Sequence, residues 1–194
     1  GDALYIVDVN SEEKEKIPFK LDGVFSATWS PVGDKLAFVG YEKGASDIYI
    51  YDINKKDHYN LTKDIFSDSE PTWSPDGNSI AFISDRDNAV NTSINTAQDM
   101  ISVDYNKNDV YIIDVETRSL KQVTSTSYDE NYPVFSSTEE FLFYTADSSG
   151  TWNLFKYDIK KESTTVVTNL LTGIFQLSLN KFDDAMVFSG YSNR

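Results

Sequence analysis

The residues best suited to chemistry are carboxylates in two short polar segments. Asp68 and Glu70 occupy one segment, and Asp129 and Glu130 occupy an equivalent one further along the chain. Two carboxylates held about 5–9 Å apart can act as acid and base on a glycosidic bond. The same groups could instead form a solvated rim or accept hydrogen bonds from loop amides. We therefore predict partner binding at these four acids and at Tyr132, and assign catalysis to none of them.

Other catalytic and metal chemistries lack their usual residues. The chain has no cysteine, which excludes thiolate zinc sites and cysteine nucleophiles. Its single histidine, His58, is expected on the surface, and no Gly-x-Ser-x-Gly nucleophile elbow is present. The segment from Asp85 begins like an EF-hand loop, but Val90 and Thr96 stand where that loop needs Gly and Glu. We predict no catalytic residue and no cofactor, and leave open loose Ca²⁺ binding by the acidic segments.

The charge of the chain restricts its partners. The 194 residues include 17 Lys and Arg against 31 Asp and Glu, which gives a formal net charge of −14. Nucleic acids and anionic membranes both attract basic surfaces, so neither is an expected partner. Apolar runs are shorter than the roughly 18 residues that span a bilayer, so we predict no membrane insertion.

Three sequence markers recur with nearly the same spacing, and they place the acidic segments in a repeated unit. The first is a bulky anchor followed by serine, as in "PTWSPDGNSIAFIS" from Pro71. The anchors are Trp29, Trp73, Phe135 and Leu177, spaced 44, 62 and 42 residues apart. The second marker is an aspartate that closes a Tyr-rich phrase, at Asp8, Asp52, Asp114 and Asp158. The third follows it as Ile17-Pro18, Leu61-Thr62, Val123-Thr124 and Val167-Thr168. Such a period indicates an internal repeat of about 44 residues.

Each unit is predicted to form four short antiparallel strands, because Tyr, Phe, Val and Ile dominate its segments and Pro-Asp-Gly turns separate them. Four strands per unit define the blade of a β-propeller. We predict an all-β single domain over 1–194 with four blade equivalents, three whole blades and two complementary halves. The predicted blade parts are 1–22, 23–66, 67–127, 128–170 and 171–194.

The two half-blades allow two arrangements of the chain. Either they pair and close a ring, or the chain is a slice of a six- to eight-bladed propeller. A slice would leave strand edges unpaired, and self-association through those edges is then expected.

Residues that recur in every unit are interpreted as structural. We predict that the aromatic anchors pack between blades. The four closing aspartates and the serines after the anchors are predicted to accept backbone N–H groups of turns.

One interval exceeds the others by 18 residues, and the added residues fall in the segment 87–108. Loops longer than about 12 residues in a compact domain are usually functional or disordered. We therefore predict contact with a partner or ligand at Asp99, Met100 and Tyr105.

The repeated phrases resemble the propeller repeat of the TolB family. The resemblance is carried by Pro71–Ser84, Asp85-Arg86, Asp109–Tyr111, Asp114 and Val123-Thr124. The same repeat occurs in the non-catalytic propellers of prolyl oligopeptidase-like enzymes. The chain departs from the TolB pattern, since it has four blade equivalents, no small α/β domain and a fourth unit without Pro-Asp-Gly ("SLNKFDD").

TolB-like proteins act as non-enzymatic partners in periplasmic cell-envelope complexes. The resemblance therefore implies a module that binds a protein or peptide, or a glycan, in the periplasm or outside the cell. Two alternatives remain open: the propeller part of a larger serine peptidase, and a small glycosidase using Glu70 and Glu130.

Overall fold

A computed structural model describes residues 2–86 and 107–191, and in this part of the chain all regular structure is β-strand. The strands are β1 (Ala3–Val7), β2 (Lys14–Pro18), β3 (Gly23–Trp29), β4 (Lys35–Glu42), β5 (Ala45–Asp52), β6 (Asp57–Asn60), β7 (Asp68–Trp73), β8 (Ser79–Ser84), β9 (Asp109–Asp114), β10 (Leu120–Gln122), β11 (Glu130–Phe135), β12 (Phe141–Ala146), β13 (Asn153–Asp158), β14 (Ser163–Val166), β15 (Ile174–Leu179) and β16 (Met186–Gly190). The prediction of an all-β fold is confirmed.

The strands form five antiparallel sheets in chain order. We call β3–β6 the first blade, β7–β10 the second blade and β11–β14 the third blade, and in each of them sequential strands are neighbours. β1–β2 and β15–β16 form two-stranded sheets, here called the N-terminal and C-terminal half-blades. This arrangement is a partial β-propeller, as the repeat predicts.

The two half-blades are separate sheets in the described structure, so one edge of β1 and one edge of β16 have no strand beside them. The missing neighbour changes the burial of equivalent residues. In the second blade, the middle strand β8 is buried from Ile80 to Ser84. In β16, by contrast, Val187 and Phe188 are 67% and 39% exposed, and in β1 Tyr5 is 61% exposed.

The core lies between adjacent blades rather than within one sheet. Trp73 of the second blade packs in one cluster with Val39 and Ile50 of the first blade. Phe135 of the third blade packs likewise with Ile83 and Val110 of the second. The prediction that these two anchors pack between blades is confirmed.

Trp29 is the exception among the aromatic anchors, because it is 50% exposed whereas Trp73 is 7% exposed. We call the first strand of each blade its inner strand and the last two its outer strands. The Trp73 indole N–H donates to the carbonyl of Thr28, on the inner strand β3 of the preceding blade, at 3.4 Å. The sheet that precedes Trp29 contains only β1 and β2, which correspond to the outer strands of a blade. Trp29 therefore lacks the inner strand that covers its equivalents.

The closing aspartates cap the turn between the two outer strands of each unit, as predicted. The Asp8 carboxylate accepts the N–H groups of Asn10 and Ser11, both at 2.8 Å. Equivalent bonds to Asp52, Asp114 and Asp158 come from Lys55, Thr117 and Lys161 at 2.7–2.9 Å. These bonds lower the pKa of Asp8, Asp52 and Asp114, since they favour the ionised form. The pKa of Asp158 is also lowered, first by the hydrogen bond from the Lys161 ammonium and then by the Lys161 N–H.

The serine after the anchor also binds its turn in the three whole blades. Ser30, Ser74 and Ser136 each accept, on the side-chain oxygen, the N–H of the residue five positions later, at 2.9–3.0 Å. The fourth anchor predicted from sequence, Leu177, is wrong by two residues. Leu179 pairs with Met186 as Trp73 pairs with Ile80. A shift of two residues keeps the same strand face, so hydrophobic alternation alone does not detect it.

Candidate functional site

The inner strand of each unit carries the same backbone irregularity. β3, β7, β11 and β15 are each in contact with the next, and each has a register shift against its own neighbour. At that shift, four residues other than glycine adopt a left-handed backbone with φ of 53–57°, at Ser26, Glu70, Tyr132 and Gln176. This region is uncommon for such residues and is often found at functional sites.

The backbone repeats at these four positions, but the side chains do not. A hydroxyl, a carboxylate, a phenol and an amide replace one another from sheet to sheet. We call this row of four residues the inner row. Because these four positions lie on neighbouring first strands and differ in chemistry, we take the inner row as the candidate binding surface.

Two members of the inner row are linked across a blade boundary. The Glu70 carboxylate accepts the backbone N–H of Tyr132 at 2.6 Å. Burial raises the pKa of Glu70, and that N–H bond opposes the rise. Burial, followed by the charge of Glu70, also raises the pKa of the Tyr132 phenol. The structure thus brings together two of the residues predicted from sequence to bind a partner.

The other predicted acids have internal partners. The half-buried Asp129 accepts the backbone N–H of Asn108 at 2.9 Å. Glu130 is fully buried, and its carboxylate accepts the hydroxyls of Thr124 at 3.2 Å and Thr126 at 2.7 Å. Burial raises the pKa of Glu130 to about 8, and the nearby carboxylate of Asp109 adds to the rise.

The raised pKa of Glu130 predicts that the free energy of unfolding depends on pH. Folded protein holds a proton on Glu130 up to about pH 8, whereas the unfolded chain loses it near the ordinary value of 4.5. Its stabilising contribution is therefore present at low pH and is lost as the pH rises through that window. Glu130→Gln should match the wild type near pH 5 and exceed its unfolding free energy by about 2–4 kcal/mol at pH 8.5.

Urea denaturation across this pH range measures the effect. Glu162→Gln provides the control, because Glu162 is an exposed residue paired with Lys121. A difference between wild type and Glu130→Gln that does not grow with pH would contradict the assignment of a proton to Glu130.

Asp68 belongs to a buried charge cluster at the boundary of the first and second blades. Its carboxylate binds one terminal nitrogen of Arg86, and Asp64 binds the other at 3.0 Å. The Arg86 Nε donates to Ser84 at 2.7 Å. The guanidinium carbon also lies 5.1–5.6 Å from three aromatic rings, those of Phe66, Phe82 and Tyr111. Arg86 is thus enclosed by carboxylates and π-faces, both of which favour a cation.

A third carboxylate, that of Asp47, completes the cluster. Asp47, Asp64 and Asp68 each offer an oxygen, and these oxygens lie within 4.8 Å of one another. The sequence patterns do not predict this cluster, because they mark Arg86 only as part of a repeat phrase and give no reason to place Asp47 and Asp64 beside it. A usable signal was present in the Asx–Thr pairs Asp47–Thr62, Asp109–Thr124 and Asn153–Thr168, which are hydrogen-bonded at 3.0–3.3 Å.

The remaining predicted residues are placed as follows. Asp99, Met100 and Tyr105 lie outside the described residues. His58, expected on the surface, is half-buried, with its ring centroid 5.2 Å from that of Phe19 in an edge-on contact. Its contacts with Phe19 and Tyr49 indicate a packing role. Within the described residues, no helix is long and apolar enough to cross a membrane.

Fold and inner-strand geometry define a partial β-propeller built from TolB-like repeats. Residues 1–91 match the family model of the TolB beta propeller domain. The resemblance inferred from the repeated phrases is therefore confirmed.

Solved structures support the same fold. TolB from Acinetobacter baumannii superposes with a TM-score of 0.72 and 21% identity over 96% of this chain and 42% of its own. A putative TolB from Agrobacterium tumefaciens gives 0.76 and 18% over 97% of this chain and 63% of its own. The tricorn protease gives 0.67 and 13% over 97% of this chain and 17% of its own. This chain therefore spans less than two thirds of each of these proteins. No curated protein matches the chain in sequence.

Proposed function

We propose that the chain is a non-enzymatic binding module that holds a protein or peptide against the inner row. The observation that carries this proposal is the recurrence of one strained backbone conformation with four different side chains, at Ser26, Glu70, Tyr132 and Gln176. Repeated backbone gives a rigid platform, and varied side chains give specificity.

Charge favours a basic partner. The net charge is −14, and the Glu70 carboxylate lies in the inner row beside the amphipathic ring of Tyr132. Complementary charge accelerates encounter and excludes acidic competitors. The TolB-like repeat supports a location in the periplasm or outside the cell, where such propellers meet envelope proteins.

Burial counts against the glycosidase alternative. Glu130 is fully buried and hydrogen-bonded to threonines, so it does not face a substrate together with Glu70. A glycan remains an alternative ligand for the same surface. The absence of a Gly-x-Ser-x-Gly nucleophile elbow from this sequence counts against a serine peptidase site within it.

A peptide-display selection tests the proposed surface directly. Peptides enriched on wild-type chain should be basic, and their Kd should rise at least tenfold on the Tyr132→Ala and Glu70→Gln variants, measured by calorimetry. Tyr59→Ala provides the matched control, since Tyr59 is a partly exposed tyrosine of the outer strand β6. Binding that Tyr132→Ala leaves unchanged would contradict the proposal, and enrichment on a glycan array alone would replace the peptide by a glycan.

A further inference from the structure

The charge cluster between the first and second blades contains more carboxylates than cationic side chains. Asp47, Asp64 and Asp68 supply three carboxylates, and Arg86 supplies one guanidinium. The side chains of Arg86, Asp64 and Asp68 are 2%, 4% and 0% exposed, so bulk water does not screen the excess. Uncompensated buried charge is costly, and proteins usually pair it or bind a metal there.

One oxygen of this cluster has no donor. Asp68 Oδ2 is buried and lacks a hydrogen-bond partner among the described residues. The other carboxylate oxygens are occupied: Asp47 accepts Asn60 and Thr62, and Asp64 accepts the Phe66 N–H and Arg86. A buried carboxylate oxygen without a donor is rare in folded proteins and calls for an explanation.

We propose that Asp47, Asp64 and Asp68 bind a divalent cation of the Ca²⁺ type, with the vacant lone pairs of Asp68 Oδ2 among its ligands. A doubly charged ion together with Arg86 balances the three carboxylates. Three oxygens within 4.8 Å of one another can surround one central ion at no more than about 2.8 Å from each, close to the 2.3–2.6 Å at which Ca²⁺ holds its ligands.

The ion would join two blades. Asp47 and Asp64 belong to the first blade and its following loop, whereas Asp68 begins the second blade. Arg86 lies two residues after β8 and pairs with the carboxylates of both Asp64 and Asp68, so it also connects the two blades.

Titration of the chelator-treated chain with Ca²⁺ tests the site, with Tb³⁺ as a luminescent probe sensitised by the nearby Tyr111. We expect saturable binding, a rise in melting temperature and Tb³⁺ emission that Ca²⁺ displaces. Asp68→Asn should weaken binding at least tenfold, and Asp47→Asn should do the same if Asp68→Asn does not fold. Glu130→Gln removes a buried acid at the next blade boundary and should leave affinity unchanged.

Two results would overturn the proposal. The first is the absence of any Ca²⁺-dependent stabilisation or Tb³⁺ emission in the wild type. The second is equal binding by wild type, Asp68→Asn and Asp47→Asn, which would indicate adsorption to the acidic surface. Neither outcome affects the peptide-binding proposal, because the inner row does not include these aspartates.

Discussion

Arg86→Met is expected to lower the free energy of unfolding by about 3–5 kcal/mol in calcium-free buffer. The substitution keeps much of the side-chain volume but removes the one guanidinium that binds Asp64 and Asp68. Both carboxylates would stay buried without their cationic partner, and an uncompensated buried charge strongly destabilises the folded state. Melting temperature should fall by about 10 °C for a chain of this size.

Lys56→Met is the control, because Lys56 pairs with Glu15 on the surface, where the two side chains are 67% and 52% exposed. Such pairs contribute about 1 kcal/mol or less. Adding Asp64→Asn and Asp68→Asn to Arg86→Met should recover part of the loss, since the uncompensated charges are removed as well. Equal losses for Arg86→Met and Lys56→Met would refute the structural importance of the cluster.

Trp73→Ala is the second substitution with a large expected effect, about 3–5 kcal/mol of unfolding free energy. Its indole fills the space between the first and second blades and bonds to Thr28. Trp29→Ala is a matched control at the same position of the repeat, and it should cost about 1 kcal/mol or less because Trp29 is half exposed.

Urea denaturation of the two tryptophan variants under identical conditions gives the comparison. The chain has a third tryptophan, Trp152, so the quenching comparison is made in a Trp152→Phe background. There, acrylamide should quench Trp29 emission in Trp73→Phe more readily than Trp73 emission in Trp29→Phe. Similar stability losses at both positions would show that the inner strand of the preceding blade does not determine how much each anchor contributes.

The fold was accessible from sequence because its information is local and repeated. Pro-Asp-Gly turns, closing aspartates such as Asp114 and alternating Tyr and Ile residues act within one unit, and the same signals recur in the next. The wrong assignment of the fourth anchor to Leu177 also comes from relying on local pattern. Side chains alternate with a period of two along a strand, so the pattern does not distinguish Leu177 from Leu179.

The charge cluster and the burial of Glu130 were harder to predict from sequence, because their contacts join residues from different parts of the repeat. Asp47, Asp64 and Arg86 meet only when the first two blades pack together, and the repeat does not show that they share one site. Burial of Glu130 also depends on a neighbouring loop, through Thr124 and Thr126. Sequence patterns identified the acidic segments, and packing determined which of their members face solvent.

The exposed edges of β1 and β16 complete one another. In a whole blade, a strand of the β16 type pairs with one of the β1 type, so the two edges are unlike and mutually complementary. A strand that docks on either edge, whichever polypeptide supplies it, must therefore run antiparallel to that edge and match its alternation of side chains.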